Sequence, residues 1–116
     1  MTLYLLTDKL DLTNDQAKEF SLETAEGEIS LFVVKHQDTV YAYQNKCPHL
    51  GIPLNWQPDE FMSMDSEHIQ CSTHGALFRP DNGHCIVGPC SGQNLTSFTL
   101  EQSSDNKLWL TLATAN

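Results

Sequence analysis

Two short boxes in this sequence each set a cysteine beside a histidine. They read Cys47-Pro48-His49-Leu50-Gly51 and Cys71-Ser72-Thr73-His74-Gly75. Together they spell Cys-x-His, 21 residues, then Cys-x-x-His. Each box offers one thiolate and one imidazole on a tight loop. Pro48 fixes a backbone angle between two ligands, while Gly51 and Gly75 permit conformations that a side chain would forbid. Thiolate with imidazole suits zinc or an iron–sulfur cluster. A tetrahedral zinc would take all four groups, but zinc fingers pair Cys with Cys and His with His. A binuclear centre explains the mixture, with both thiolates on one metal and both imidazoles on the other.

The segments around the boxes must position them. From about Asn45 to Gly92 the chain carries all five prolines, all four cysteines, five of the six glycines and four of the five histidines. It has few periodic apolar residues, so we expect a metal to order it. The flanks read as strands between turns. Leu3 to Leu6 suggests a first strand. Thr13-Asn14-Asp15-Gln16 suits either a helical cap or a polar loop. Glu28 to His36 sets Ile29, Leu31 and Val33 on one face and Phe32 and Val34 on the other, as in a strand buried on both sides. Gln37-Asp38 turns the chain into Val40 to Tyr43. Phe98 and Leu100 alternate with polar residues, Ser103 to Asn106 turns, and Leu108, Leu110 and Leu112 return with one leucine face inward.

The 116 residues, with 40% hydrophobic and 18% charged, suit one folded domain. The formal charge of −9 argues against nucleic acid and anionic membrane surfaces and favours a partner with a basic face. No apolar run approaches the roughly 20 residues of a membrane span. The N-terminus lacks the basic start and apolar stretch of a signal peptide. We therefore expect a soluble cytoplasmic protein, in which cysteines bind metal more readily than they form disulfides.

At this point the sequence resembles a known family. The two boxes are similar to the ligand boxes of Rieske [2Fe–2S] proteins. The similarity extends to Val40-Tyr41-Ala42-Tyr43-Gln44-Asn45, Leu77-Phe78, Asp81-Asn82-Gly83 and Gly88-Pro89-Cys90. In that family two histidines replace two cysteines on one iron. The resemblance implies that Cys47 and Cys71 bind the inner iron and His49 and His74 the outer one, with Gly88-Pro89 in a loop over the cluster. It implies an all-β Rieske fold: an antiparallel sandwich with a small cluster-binding subdomain, about 45–92, on a base of 1–44 and 93–116. It also implies a one-electron carrier rather than an enzyme, serving a reductase, an oxygenase or another redox partner. The outer imidazoles would link proton and electron affinity, so the potential would fall at high pH.

Three departures narrow the branch. High-potential members carry an extra cysteine in each box, where Ile52 and Thr73 stand here. They carry a Ser and a Tyr after box two that donate hydrogen bonds to sulfur; here Ala76 and Phe78 donate nothing. We expect no membrane anchor either. Fewer donors stabilise the reduced cluster less, so a low-potential, soluble ferredoxin is expected. The competing readings are a small Rieske-like subunit of a nitrite reductase-type complex and a zinc-stabilised interaction domain. Elsewhere, Cys85 and Cys90 read as thiols beside the cluster loop rather than a bridge. His36, His68 and His84 share no site spacing. Trp56 and Trp109 read as packing residues. The acids of residues 1–28 and 55–70 form a solvated face or a docking patch.

Overall fold

Strand β3 (Gly27–His36) is where sequence pattern and architecture meet. Its residues Leu31, Phe32, Val33 and Val34 are all fully buried, so both faces of the strand meet apolar partners. Side chains alternate across a strand, and the two faces therefore serve two different cores. Each such side chain contributes about 1.5–3 kcal/mol through burial. The computed structural model describes residues 2–8, 12–24, 27–46, 54, 61–63, 67–71, 75–88 and 92–112.

Six strands form the larger sheet. They are β1 (Thr2–Asp8), β2 (Gln16–Thr24), β3, β4 (Thr39–Gln44), β8 (Ser97–Gln102) and β9 (Lys107–Leu112), in the order β1-β9-β8-β4-β3-β2. Every pairing of named strands is antiparallel, and no helix occurs among the described residues. Strands β4 and β8 share only two residue pairs, Ala42 with Phe98 and Tyr43 with Ser97. The sheet folds over at that joint into a near-barrel. Its interior holds Leu12, Leu31, Val33, Ala42, Leu108 and Leu110.

The opposite face of β3 and β4 carries the second core. Phe32, Val34 and Tyr43 pack there against Leu54, Phe61, Ile69, Cys71, Ala76, Phe78, Cys85 and Leu95. Phe32 stacks on Phe61 with ring centroids 4.2 Å apart. Most of these partners belong to a smaller sheet of β5 (Ile69–Gln70), β6 (Leu77–Phe78) and β7 (Cys85–Val87) and its flanks. The Tyr43 hydroxyl donates to the Pro80 carbonyl at 2.6 Å and ties the two sheets together. Gly83 makes room for that ring: a Cβ there would sit 2.9 Å from Tyr43 Cε1.

The turns follow local chemistry. Gln37 and Asp38 both adopt positive φ, 51° and 63°, as a two-residue hairpin requires. The hairpin tip is pinned by bonds between Asp38 and Asn14 and by Asp15 Oδ1 at 2.9 Å from His36 Nδ1. The helical cap considered for residues 13–16 does not form. Instead Asp15 takes a φ of 64°, its N–H donates to the Lys35 carbonyl, and the chain enters β2. That strand was not expected. Its sequence, QAKEFSLET, is mostly polar because it lies at the edge of the sheet.

Candidate metal centre

Hydrogen bonds at the second core join the ends of three segments, whose interiors lie partly outside the described residues. The first runs from Asn45 to Leu54 and contains box one. The Leu54 N–H donates to Asn45 Oδ1 at 2.8 Å, so a side chain joins the two ends. Asn45 is itself buried, and its own N–H donates to the Ser30 carbonyl on β3 at 2.9 Å. Its side-chain NH2 faces Glu19 Oε2 at 3.3 Å and Ser30 Oγ at 3.4 Å.

The second loop is box two. The Cys71 N–H donates to the Ala76 carbonyl at 2.9 Å, and the Gly75 N–H returns to the Cys71 carbonyl at 2.8 Å. Gly75 takes a φ of 69°, the left-handed conformation expected of a glycine that ends a tight turn. Cys71 and Ala76 are both fully buried. The third loop starts and ends at a pair of bonds between Cys85 and residues 92–93. The Cys85 N–H donates to Gln93 O at 2.8 Å, and the Gly92 N–H donates to Cys85 O at 3.1 Å. Within it, Gly88 takes a φ of 108°, and a Cβ there would lie 2.8 Å from Ala76 Cα. The third loop therefore rests directly on the neck of the second. Leu54, Cys71, Ala76 and Cys85, one or more from each neck, belong to one buried cluster.

Of the four expected ligands, only Cys71 lies among the described residues; Cys47, His49 and His74 lie outside them, as do Ile52, Trp56, Thr73, Pro89 and Cys90. Cys71 fits the part of a thiolate ligand. It stands at the foot of a closed turn, shielded from water among Leu54, Ile69 and Phe78. A thiolate so placed needs a cation to offset its lost hydration. Ala76 and Phe78 are both fully buried and bring no hydroxyl to the site.

The remaining described candidates, Cys85 excepted, lie outside that buried cluster. Cys85 is buried and its Sγ donates to the Val87 carbonyl at 3.3 Å. His84 Nδ1 lies 2.7 Å from Asn94 Oδ1, and His36 is half-buried against Asp15. The His68 N–H is bonded to Ser63 Oγ at 3.2 Å. Trp109 is half-buried on the face away from Leu108 and Leu110, opposite Leu5 of β1. Sequence reasoning missed Asn45 as a loop closure and Gly88 as a spacer. A polar residue two places before Cys47 and a glycine before a proline were the available signals.

Comparison with known proteins agrees with this geometry. The model of the Rieske [2Fe–2S] domain matches residues 2–102. The chain belongs to the Rieske [2Fe–2S] domain family. The Rieske domain is an electron-transfer module that binds one [2Fe–2S] cluster. Sequence comparison with curated proteins finds no match. Among solved structures, this Rieske domain is similar to the terminal oxygenase of carbazole 1,9a-dioxygenase from Novosphingobium sp. KA1. The TM-score is 0.76 at 17% identity, over 98% of this chain and 30% of that one. It is similar in the same degree to a chain of the reduced complex between oxygenase and ferredoxin in carbazole 1,9a-dioxygenase, with 16% identity, 98% of this chain and 29% of that one. A chain in the complex of reduced oxygenase and oxidized ferredoxin matches at TM-score 0.71 and 19% identity, over 93% of this chain and 91% of that one. The likeness establishes the fold, and this chain spans about 30% of the length of the oxygenase it matches.

Proposed function

We propose that this Rieske domain acts as a low-potential, one-electron carrier of ferredoxin type, soluble in the cytoplasm. It takes an electron from a reductase and passes it to an oxygenase or another oxidoreductase. Cys47 and Cys71 would hold one iron of the cluster, and His49 and His74 the other. The division into a cluster-binding part, about 45–92, and a base belongs to the same proposal. The observation that carries the low-potential reading is the pair Ala76 and Phe78, both buried where high-potential members place hydroxyl donors.

When bound, the [2Fe–2S] group supplies a reversible one-electron site. The chain's own residues do the rest. Phe61, Ile69 and Phe78 exclude water from the Cys71 side. The −9 net charge attracts a partner with a basic docking face and speeds their encounter at low salt. The chain of nearly equal length in an oxygenase–ferredoxin complex supports the ferredoxin role.

A second reading has its own support. The match to about 30% of an oxygenase chain favours an electron-entry domain that serves a larger catalytic assembly. A redox titration of the purified protein, followed by EPR, tests the first reading. We expect a one-electron transition in the lower part of the Rieske range, which spans about −150 to +300 mV. A transition near the top of that range, or a colourless protein with one zinc, contradicts it. Co-purification with a chain that carries a mononuclear iron moves the assignment to the second reading.

A further inference from the structure

The Asn45 side chain bonds to three separate parts of the chain. Its Oδ1 accepts from the Leu54 N–H, and its NH2 faces the Glu19 carboxylate on β2 and Ser30 Oγ on β3. The orientation of the amide is fixed chemically. A backbone N–H can bond only the oxygen end, and a carboxylate can accept only from the nitrogen end. One side chain therefore fastens both ends of the 46–53 segment to the wall formed by β2 and β3. That segment contains Cys47 and His49. Leu54 at its far end is fully buried in the same cluster as Cys71 and Ala76. The Asn45 bond thus relates the end of box one to the neck of box two.

We propose that Asn45 is a positioning residue of the metal centre: its amide fixes the span of the box-one loop, and with it the placement of Cys47 and His49 relative to Cys71. Glu19 is the second member of the device, because it holds the nitrogen end of the amide. Closing the loop in this way also removes conformational freedom before metal binds. The inference rests on the proposed ligand set.

The test uses four variants of the full chain: Asn45→Ala, Asn45→Asp, the double Asn45→Asp/Glu19→Gln, and Leu110→Ala as a control. Leu110 lies in the other core, so its truncation weakens the fold without touching box one. The readouts are the reduced-state EPR g-values, the midpoint potential and the rate of iron loss to a chelator. Asn45→Ala should lose iron roughly 10-fold faster or more and should shift both g-values and potential. Asn45→Asp keeps the acceptor for Leu54 but sets two carboxylates face to face, so it should behave similarly. The double variant restores donor and acceptor in swapped order at the original net charge, and it should return all three readouts toward wild type. Leu110→Ala should lower the melting temperature and leave the g-values and potential unchanged. The proposal is overturned if the two single Asn45 variants keep wild-type g-values, potential and iron retention, or if they differ from Leu110→Ala only in stability. If Asn45→Ala does not fold, the comparison of Asn45→Asp with the double variant decides. Failure of the ligand reading looks different: wild-type protein then shows no iron–sulfur EPR signal at all.

Discussion

The two cores of this Rieske domain share a wall but are held by different means. Inside the near-barrel, six long strands bring leucines, valines and Phe20 together over paired backbone ladders. On the other face of β3 and β4, the three small strands have two or three residues each. One or two hydrogen bonds join the chain at Asn45, Cys71 and Cys85. The first region satisfies its backbone by pairing and its side chains by burial. The second pairs little backbone but buries at least as large a set of side chains.

Opposite faces of one strand provide the strongest way to break the comparison. Phe32→Ala and Leu31→Ala remove neighbouring, fully buried side chains that face the two different cores. Each should cost about 2–5 kcal/mol in thermal or denaturant unfolding. Only Phe32→Ala, which loses its stack on Phe61, should also lower iron content per chain. Equal iron loss in both variants would mean that the two cores are not independent.

Gly88→Ala follows in size. Its new methyl would meet Ala76 Cα at 2.8 Å, and a positive φ adds strain. We expect a loss of about 1–3 kcal/mol with faster iron release, because the third loop must lift off box two. Melting curves alongside chelator kinetics would check this.

The tie between the sheets should respond to pH. Burial first, then the Asp81 carboxylate and the Tyr41 hydroxyl, push the Tyr43 phenol above its ordinary value of 10.0. The folded protein keeps a proton there that the unfolded chain loses. The stability this contributes is present below about pH 10 and declines as pH rises further, by about 1.4 kcal/mol for each unit at most. Tyr43→Phe leaves the Pro80 carbonyl without its donor and should cost about 1–3 kcal/mol near neutrality. The gap between wild type and variant should then narrow above pH 10. A gap that stays constant to pH 11 would show that Tyr43 does not titrate as described.

The smallest effect sharpens the chemistry of the site. Ala76→Ser offers a hydroxyl where none exists. One added donor to the reduced state is worth about 1 kcal/mol, or on the order of 50 mV for one electron. The midpoint potential should rise by that order with little change in melting temperature.

The sequence made β3 readable because its alternation is carried by large apolar residues on both faces. The hairpins were readable from Gln37-Asp38 and from Ser103 to Asn106, since turn residues announce themselves locally. Strand β2 was hidden because its outer face meets water and its composition, with Lys18, Glu19 and Glu23, resembles a helix or loop. Only pairing with β3 over nine residue pairs makes it a strand, and pairing is not a local property. Residue type and spacing at Cys47, His49, Cys71 and His74 pointed to a metal centre, and the family match supports one cluster in the domain without testing any of the four as a ligand. The closures at Asn45 and Cys85 were not legible. They depend on which backbone groups lie opposite, 9 residues away for Asn45 and Leu54.

Hydrogen exchange on iron-loaded and iron-stripped protein tests the division most directly. Amides of β3, β4 and β9 should stay protected in both forms. Amides of residues 69–71, 76–79 and 85–87 should be protected in the loaded form and exchange much faster after iron is removed. Unchanged protection of those residues in the stripped protein would contradict the account, because it would show that the second region orders itself without metal.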